Sequence, residues 1–406
     1  MTDRMAAQKF NLFDLPEDYY VSPQRYFAML REHDPVHENA DGSVLLSRYA
    51  DVSKVWMDLS SSVDKTEMFT EKFGPGPLLE HHTHTMLFRD PPDHDRLRKI
   101  VNPFFSKKNV DRMEKFVADL GDQLVENVRK KEEFDYVKDF AFKVPMTVIA
   151  HILGVPREDA ERIHEIGMKI LFPLNPNVSD EVVREGHEAV AEFKDYLLQH
   201  LEKRRALASL DPEADIISTL AQAQRDGSEI SDLEILHMCI LLLNGGHETT
   251  TNTLAVGLLS LVNDPESLAM MRDDPEVGRT GPDELIRFIT PIQLQGRRLT
   301  KPLEIPSGPV LPEGTEIILC PASANRDPEK FDQPDRLNLH RKANRHYAFG
   351  GGVHLCIGRL LAKMEISTIL PKFLNAFSHI EITRDPEFNR NARFRGLKEL
   401  QVKVRE

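Results

Sequence analysis

The chain places one cysteine where thiolate chemistry is favoured. From Phe349 the sequence runs Phe349-Gly350-Gly351-Gly352-Val353-His354-Leu355-Cys356-Ile357-Gly358, and an apolar helical run through Glu365 follows. Three consecutive glycines suit a tight turn in which backbone must approach something closely. A cysteine two residues before a helix start sees the positive end of the helix dipole and unsatisfied backbone N–H groups, and both stabilise thiolate over thiol. A thiolate presented by a glycine-lined loop is what a soft axial bond to haem iron requires, and such a ligand pushes electron density toward O–O cleavage. The competing reading is a structural cysteine buried in a turn.

A second group of reactive residue types lies at Asn244-Gly245-Gly246-His247-Glu248-Thr249-Thr250. Ser231-x-x-Glu234 forms a capping box, and the helical pattern continues from there to Asn263 before Asp264-Pro265 stops it. At 1.5 Å per residue such a helix is about 48 Å long. Two glycines in its middle cost ~1 kcal/mol each relative to alanine. Glycines there let a flat cofactor and a diatomic ligand approach, and a threonine hydroxyl can open the helix by bonding the carbonyl four residues back. Glu248 and Thr249 form an acid–alcohol pair able to hold a water and meter proton delivery. His247 is expected to point toward other helices.

The order and spacing of these residues closely resemble the cytochrome P-450 family in its soluble bacterial form. Six positions of the family's haem-binding loop are filled: Phe349, Gly350, Gly352, His354, Cys356 and Gly358. Gly245, Gly246, Glu248 and Thr249 resemble its oxygen-activation motif. The resemblance implies haem b (iron protoporphyrin IX) with Cys356 as the axial ligand of iron. It also implies propionate-binding residues: His94 and Arg98, four apart on one helix face, then His354, and Arg297 or its neighbour Arg298. Glu284-x-x-Arg287 resembles the family's structural ion pair, with Arg336, from the stretch Asn325 to Arg336, as the third member. Alone, such a pair is a weak signal.

These motifs occur in the family's order over essentially the whole chain from about residue 20. The fold they imply is mainly α with small β-sheets: a single helix-rich domain over 1–406, with haem between the long central helix (231–263) and the Cys-loop helix (349–365). Residues 1–20 read as an irregular arm. Helical pattern begins near Pro23, residues 43–49 alternate weakly as a strand, and a helix containing Trp56 follows. Residues 61–88 lack clean periodicity and, with 166–180, are expected to be pocket-covering loops. Pro282 reads as a helix start. His81, His82 and His84 are expected to be solvent or pocket residues, since no carboxylate or cysteine pattern completes a metal site. Asn244, Ile289, Ile292 and Leu397 are the pocket candidates. Asn244 stands where the family usually has a small or branched apolar residue, so its amide needs a partner.

Composition agrees with that outline. Of 406 residues 40% are hydrophobic and 29% charged, as in ordinary globular proteins. A net charge of −13 disfavours nucleic acid and anionic membrane surfaces as partners. Three cysteines without a CxxC pair indicate neither a disulfide framework nor zinc; Cys239 and Cys320 read as packing residues in an apolar helix and strand. No apolar run near the N-terminus is long enough for a signal or anchor, so the expectation is a cytoplasmic protein; it is also expected to be a monomer. The expected reaction is monooxygenation of a small or medium hydrophobic substrate with O2. Electrons are expected from NAD(P)H through an external reductase and an iron–sulfur ferredoxin, or a flavodoxin. The alternatives are a peroxide-driven peroxygenase of the same fold and a non-catalytic haem-based ligand-binding protein.

Overall fold

Local sequence explains most of the helix ends. The central helix spans Asp232–Val262, and its capping box is reciprocal: Glu234 Oε2 accepts from the Ser231 N–H at 2.9 Å, and the Ser231 hydroxyl accepts from the Glu234 N–H at 3.2 Å. Asp274 caps helix Pro275–Ile289 by accepting from the N–H groups of Glu276 and Val277. Pro282 therefore lies inside that helix, not at its start, because the preceding Asp274-Pro275 supplies the stronger start signal. The computed structural model describes residues 3–175 and 178–405. Pro176 and Asn177, in the stretch 166–180 expected as a loop, lie outside the described residues; up to Leu171 that stretch is helix instead, continuing Ala160–Leu171.

The chain forms two compact units, each assembled from separated stretches. The first comprises Met1–Ser62, Val117–Phe142 and Thr249–Glu406. Its five-stranded sheet has the order Val36–Glu38, Val44–Leu46, Glu316–Leu319, Gln295–Leu299, Ser61–Ser62. Only the pairing of Val44–Leu46 with Glu316–Leu319 is parallel. Alternation along Glu316–Leu319 sends Ile317 and Leu319 into a core with Val52, Val55, Trp56 and Leu299. A three-stranded sheet places Gln401–Arg405 between Glu133–Asp135 and His379–Ile382. Helix Arg359–Ala376 passes Gly121 so closely that a Cβ there would lie 2.8 Å from Ile369 Cδ1.

The N-terminal arm is not irregular. It carries helices Asp3–Gln8 and Glu17–Val21, and Tyr19 is fully buried against Phe27, ring centroids 5.9 Å apart. Phe10, Tyr19, Phe27, Leu30 and Cys320 share one core, so aromatic spacing over 10–30 carries the order that helical periodicity does not reveal. Cys320 packs as expected, although it sits one residue beyond the strand, at the start of helix Pro321–Ala324.

The second unit comprises Val63–Phe116 and Lys143–Glu248 and is helical. The stretch expected as a loop over 61–88 holds helices Thr66–Phe73 and Pro77–His84 and a single 3-10 turn, Met86–Phe88. Helices Asp93–Val101, Lys143–Leu153, Ala160–Leu171, Asp180–Arg205 and Ile216–Arg225 complete it with the first half of the central helix. Among the described residues no helix is long and apolar enough to cross a membrane.

Candidate active site

In the first unit, three glycines and a chain of hydrogen bonds shape the cysteine loop. Gly350 and Gly352 have φ of 72° and 64°, the left-handed region that favours glycine. A side chain at Gly352 would also collide with the Trp56 carbonyl, so this loop lies directly on the backbone of helix Tyr49–Met57. The Cys356 N–H donates to Phe349 O at 2.9 Å and closes the loop. Gly358 caps helix Arg359–Ala376, which places Cys356 two residues before the cap. Cys239 and Cys320 are buried, and burial pushes each thiol up to about 12. Cys356 is half-buried, the only one of the three with access. Leu355, Ile357 and Leu360 around it are also half exposed, despite being apolar.

A buried ion-pair network fixes the loop from behind. Arg287, 0% exposed, donates to both Glu284 oxygens at 2.7 and 2.8 Å and to the carbonyls of Asn325 and Pro334. The third member is Arg341, whose Nε lies 3.0 and 3.1 Å from the Glu284 oxygens. Arg336 is exposed instead, on a cleft of about 690 Å³ with Ser260, Asn263 and Phe288. The chain turns after Leu337, and the Asn338 N–H donates to Glu284 Oε1, which brings the later arginine inward. Thr290, at φ 47°, ends the helix in a conformation rare for a β-branched residue and costing ~1–3 kcal/mol. Its hydroxyl accepts from Asn325 Nδ2 at 2.8 Å, and Asn325 Oδ1 accepts from the Tyr347 N–H at 2.6 Å. One asparagine thus links the helix end to the residue two before Phe349. Tyr347 in turn bonds Ser53 and packs its ring on Trp56.

Arg297 and Arg298 are separated by strand alternation. Arg297 is buried, whereas Arg298 pairs with Glu316 at 3.7 Å on the outer face. His354 is half-buried in the 3-10 turn Gly352–His354. Ile289 is buried against the central helix at Gly257; Leu397 is buried and Ile292 half-buried, bridged to Phe394. Sequence reading passed over Asn252. Any side chain at Gly396 would collide with its amide, so the 395–397 segment is seated on the central helix three residues after Thr249.

The remaining candidate residues lie on helix Asp93–Val101 and on the central helix. His94 is buried on helix Asp93–Val101 with Nδ1 2.9 Å from Asp95 Oδ1, and Arg98 is half-buried one turn later. The two mid-helix glycines differ. A Cβ at Gly246 would approach Ile149 Cδ1 to 3.0 Å, so that glycine permits helix packing. A Cβ at Gly245 would meet nothing within 4 Å, and Gly245 is exposed in a helix otherwise largely buried. Glu248 and Thr249 are half-buried. The Thr253 hydroxyl donates to Thr249 O at 2.8 Å, a bond to the carbonyl four back made just beyond the 244–250 motif where one was expected. His247 points away as expected: Nδ1 donates to Leu243 O at 3.0 Å, and Nε2 lies 3.0 Å from His164 Nδ1. Burial and His247 push His164 down to about 4. His81, His82 and His84 lie on helix Pro77–His84, and among the described residues no group of His, Cys, Asp or Glu is arranged to hold a metal ion.

Comparison with known proteins shows what the whole chain is similar to. The model of the family described as Cytochrome P450 matches residues 36–277 and 283–403. The Vitamin D(3) 25-hydroxylase of Pseudonocardia autotrophica is 32% identical, covering 86% of this chain and 84% of that protein. The polyketide biosynthesis cytochrome P450 PksS of Bacillus subtilis (strain 168) is 28% identical over 96% of this chain and 97% of its own. The solved structure of P450BioI in complex with hexadec-9Z-enoic acid ligated Acyl Carrier Protein matches with a TM-score of 0.89 at 26% identity, covering 96% of this chain and 100% of that one.

Proposed function

The chain belongs to the cytochrome P450 family, and on that premise we propose which residues carry its reaction and what kind of molecule enters it. Members are monooxygenases that bind haem b; when bound, haem supplies reductive activation of O2. The residues present fit that group: Cys356 is the one thiol not fully buried, and added Cβ atoms at Gly245 and Gly358 would meet nothing within 4 Å. Cys356 would hold the iron through its thiolate, on the loop shaped by Phe349, Gly350 and Gly358. His94, Arg98, Arg297 and His354 would neutralise the two propionates, which demand charge-assisted donors when withdrawn from water. Arg297 is preferred over Arg298 because it is the buried one. Gly245 would let the flat group approach the central helix, and Gly246 would hold that helix against its neighbour. The Thr249 hydroxyl would hold a water, and the Glu248 carboxylate would pass protons to it from solvent.

The substrate is a small or medium hydrophobic organic molecule, and the reaction hydroxylation or a related insertion of one oxygen atom; the similarity to a hydroxylase supports this. Asn244, Ile292 and Leu397 would line its pocket, with Ile289 behind. Electrons would come from NAD(P)H through a reductase and a ferredoxin or flavodoxin.

The access of Cys356, against the burial of the other two thiols, carries the reading. The reduced, carbon-monoxide-bound protein should show the red-shifted Soret band of a thiolate-ligated haem. Cys356→Ser should lose that band, while Cys239→Ser and Cys320→Ser keep it. Retention of the band in Cys356→Ser would remove the ligand assignment.

A further inference from the structure

One face of helix Tyr49–Met57 carries two oxidisable rings, and a third lies between them. Tyr49 and Trp56 are seven residues apart, two turns and about 10 Å along the same face. The Tyr347 ring is centred 4.8 Å from each of them, tilted 36° to Tyr49 and 40° to Trp56. The inner end of this row touches the cysteine loop: a Cβ at Gly351 would lie 3.3 Å from Trp56 Cβ and 3.4 Å from its Cγ. Gly351 is two residues, at most about 7 Å of chain, from Phe349, whose carbonyl accepts the Cys356 N–H at 2.9 Å. The outer end is Tyr49, half-buried, whose hydroxyl donates to Arg345 O at 2.9 Å where the bond is exposed. The whole row belongs to the first unit.

Its surroundings fix how an electron vacancy would travel along it. Trp56, the one tryptophan of the chain, is 4% exposed and its indole N–H has no partner. That is a cost which a phenylalanine in the same core would not carry. With no acceptor beside it, an oxidised Trp56 keeps its proton and passes the vacancy on. The Tyr347 hydroxyl donates to Ser53 Oγ at 2.6 Å, a neutral group that does not take its proton. At Tyr49 the proton can reach water. Lys330 Nζ, 4.9 Å from the centre of that ring, disfavours positive charge there, so electron and proton leave Tyr49 together.

We propose that Trp56, Tyr347 and Tyr49 form an escape route for oxidising equivalents, a protective function that rests on the haem-thiolate reading above. When hydrogen peroxide oxidises the haem site with no substrate bound, Tyr49 gives one electron inward through Tyr347 and Trp56 and its phenol proton to water. A neutral phenoxyl is left near the surface. A soluble reductant such as ascorbate restores the phenol with one hydrogen atom. Two such rounds return the two electrons and two protons that convert the peroxide to water, before Cys356 or the cofactor is oxidised in their place.

The test exposes the haem-loaded protein, without substrate, to hydrogen peroxide and a nitroso spin trap, and maps the adduct by peptide mass spectrometry. Arg48 and Lys54 bracket Tyr49 in a tryptic peptide of its own. Wild type should carry the adduct on that peptide, and ascorbate should suppress it. Tyr49→Phe, which keeps the ring, should lose it, while Trp56→Phe and Tyr347→Phe should cut it severalfold and bleach the Soret band severalfold faster. A merely structural Trp56 would move the melting temperature and leave the adduct in place. Labelling in wild type that spares Tyr49, or labelling of Tyr49 that persists in both Trp56→Phe and Tyr347→Phe, overturns the inference. The carbon-monoxide band of wild type separates the two ideas. Its absence defeats the haem-thiolate reading and this route with it, whereas its presence beside an unchanged adduct pattern defeats only the route.

Discussion

At the residue scale, two carboxylates show how burial decides function. Glu284 is buried and fully paired, so its charge is held by Arg287 and Arg341. Removing one partner of a buried pair strands the other, typically at 3–5 kcal/mol. Arg341→Ala should therefore lower stability by about that amount, while Arg336→Ala, at an exposed site, should stay within about 0.5 kcal/mol; denaturant melts of the two variants decide between them. Sequence made the Glu284–Arg287 pair legible through its spacing, but which later arginine folds back depends on the turn after Leu337, which spacing does not encode. Glu365 is the opposite case. It is buried on helix Arg359–Ala376 with Oε2 unpaired, and burial pushes it up to about 8. The folded protein keeps that proton up to about pH 8, whereas the unfolded chain loses it near pH 4.3. Between these values the native state binds more protons, so this group's contribution to stability is present below the window and is lost as pH rises through it. Glu365→Gln should match wild type near pH 5 and be progressively more stable toward pH 8. A constant offset across that range would show that the carboxyl is not neutral in the fold.

At the scale of elements, helix Pro77–His84 was the least legible, because its histidines look solvated and lack an apolar period. Pairing hides them. His81 Nδ1 lies 3.1 Å from His237 Nδ1 on the central helix, Glu80 pairs with Lys194 of helix Asp180–Arg205, and His237 Nε2 is 3.3 Å from Glu80. The His82 ring packs among Phe69, Phe73 and Phe88, and the His84 ring lies 6.0 Å from that of His237. One imidazole of the 3.1 Å pair must donate and the other accept, so the contact requires at least one neutral ring. Burial holds His81 well below the usual range, and burial, with Lys194 and His84 partly offset by Glu80, holds His237 near 4. Each folded value is depressed from about 6.5, so the unfolded state binds more protons below that pH. The stabilisation is complete above about pH 6.5 and is lost as pH falls toward 4. Amide protection factors over residues 77–84 should drop in that window, and His237→Asn should flatten the change. Protection that holds constant from pH 7 to 4 would mean the pair is not what seats this helix.

At the scale of the whole molecule, motif order made the family and its helical fold legible, because ligand, proton relay and ion pair each need fixed residue types. The division into two units was not legible, since each is built from stretches far apart in sequence. Surface charge was legible only in part. Resemblance to the family implies that Arg96, Lys99, Lys107, Lys108, Arg345, Arg359 and Lys363 belong to segments that would meet an acidic electron donor. Four of them are already compensated: Arg96 by Glu234, Lys107 by Asp111, Lys108 by Glu213 and Lys363 by Asp283. Among the described residues Lys99, Arg345 and Arg359 are in no ion pair, and Arg359 opens the helix three residues after Cys356. In a protein of net charge −13, an uncompensated cation such as Arg359, three residues from Cys356, is what would orient an acidic ferredoxin against the general repulsion. Charge reversal at Arg359 or Arg345 should slow reduction by ferredoxin about tenfold at low salt, and the difference should fade toward 0.5 M as screening shortens to about 4 Å. Reversal at Lys108, whose charge Glu213 already offsets, should do less. Stopped-flow reduction across ionic strength tests this: a rate indifferent to salt, or equal sensitivity at Lys108 and Arg359, would move the donor's docking face elsewhere.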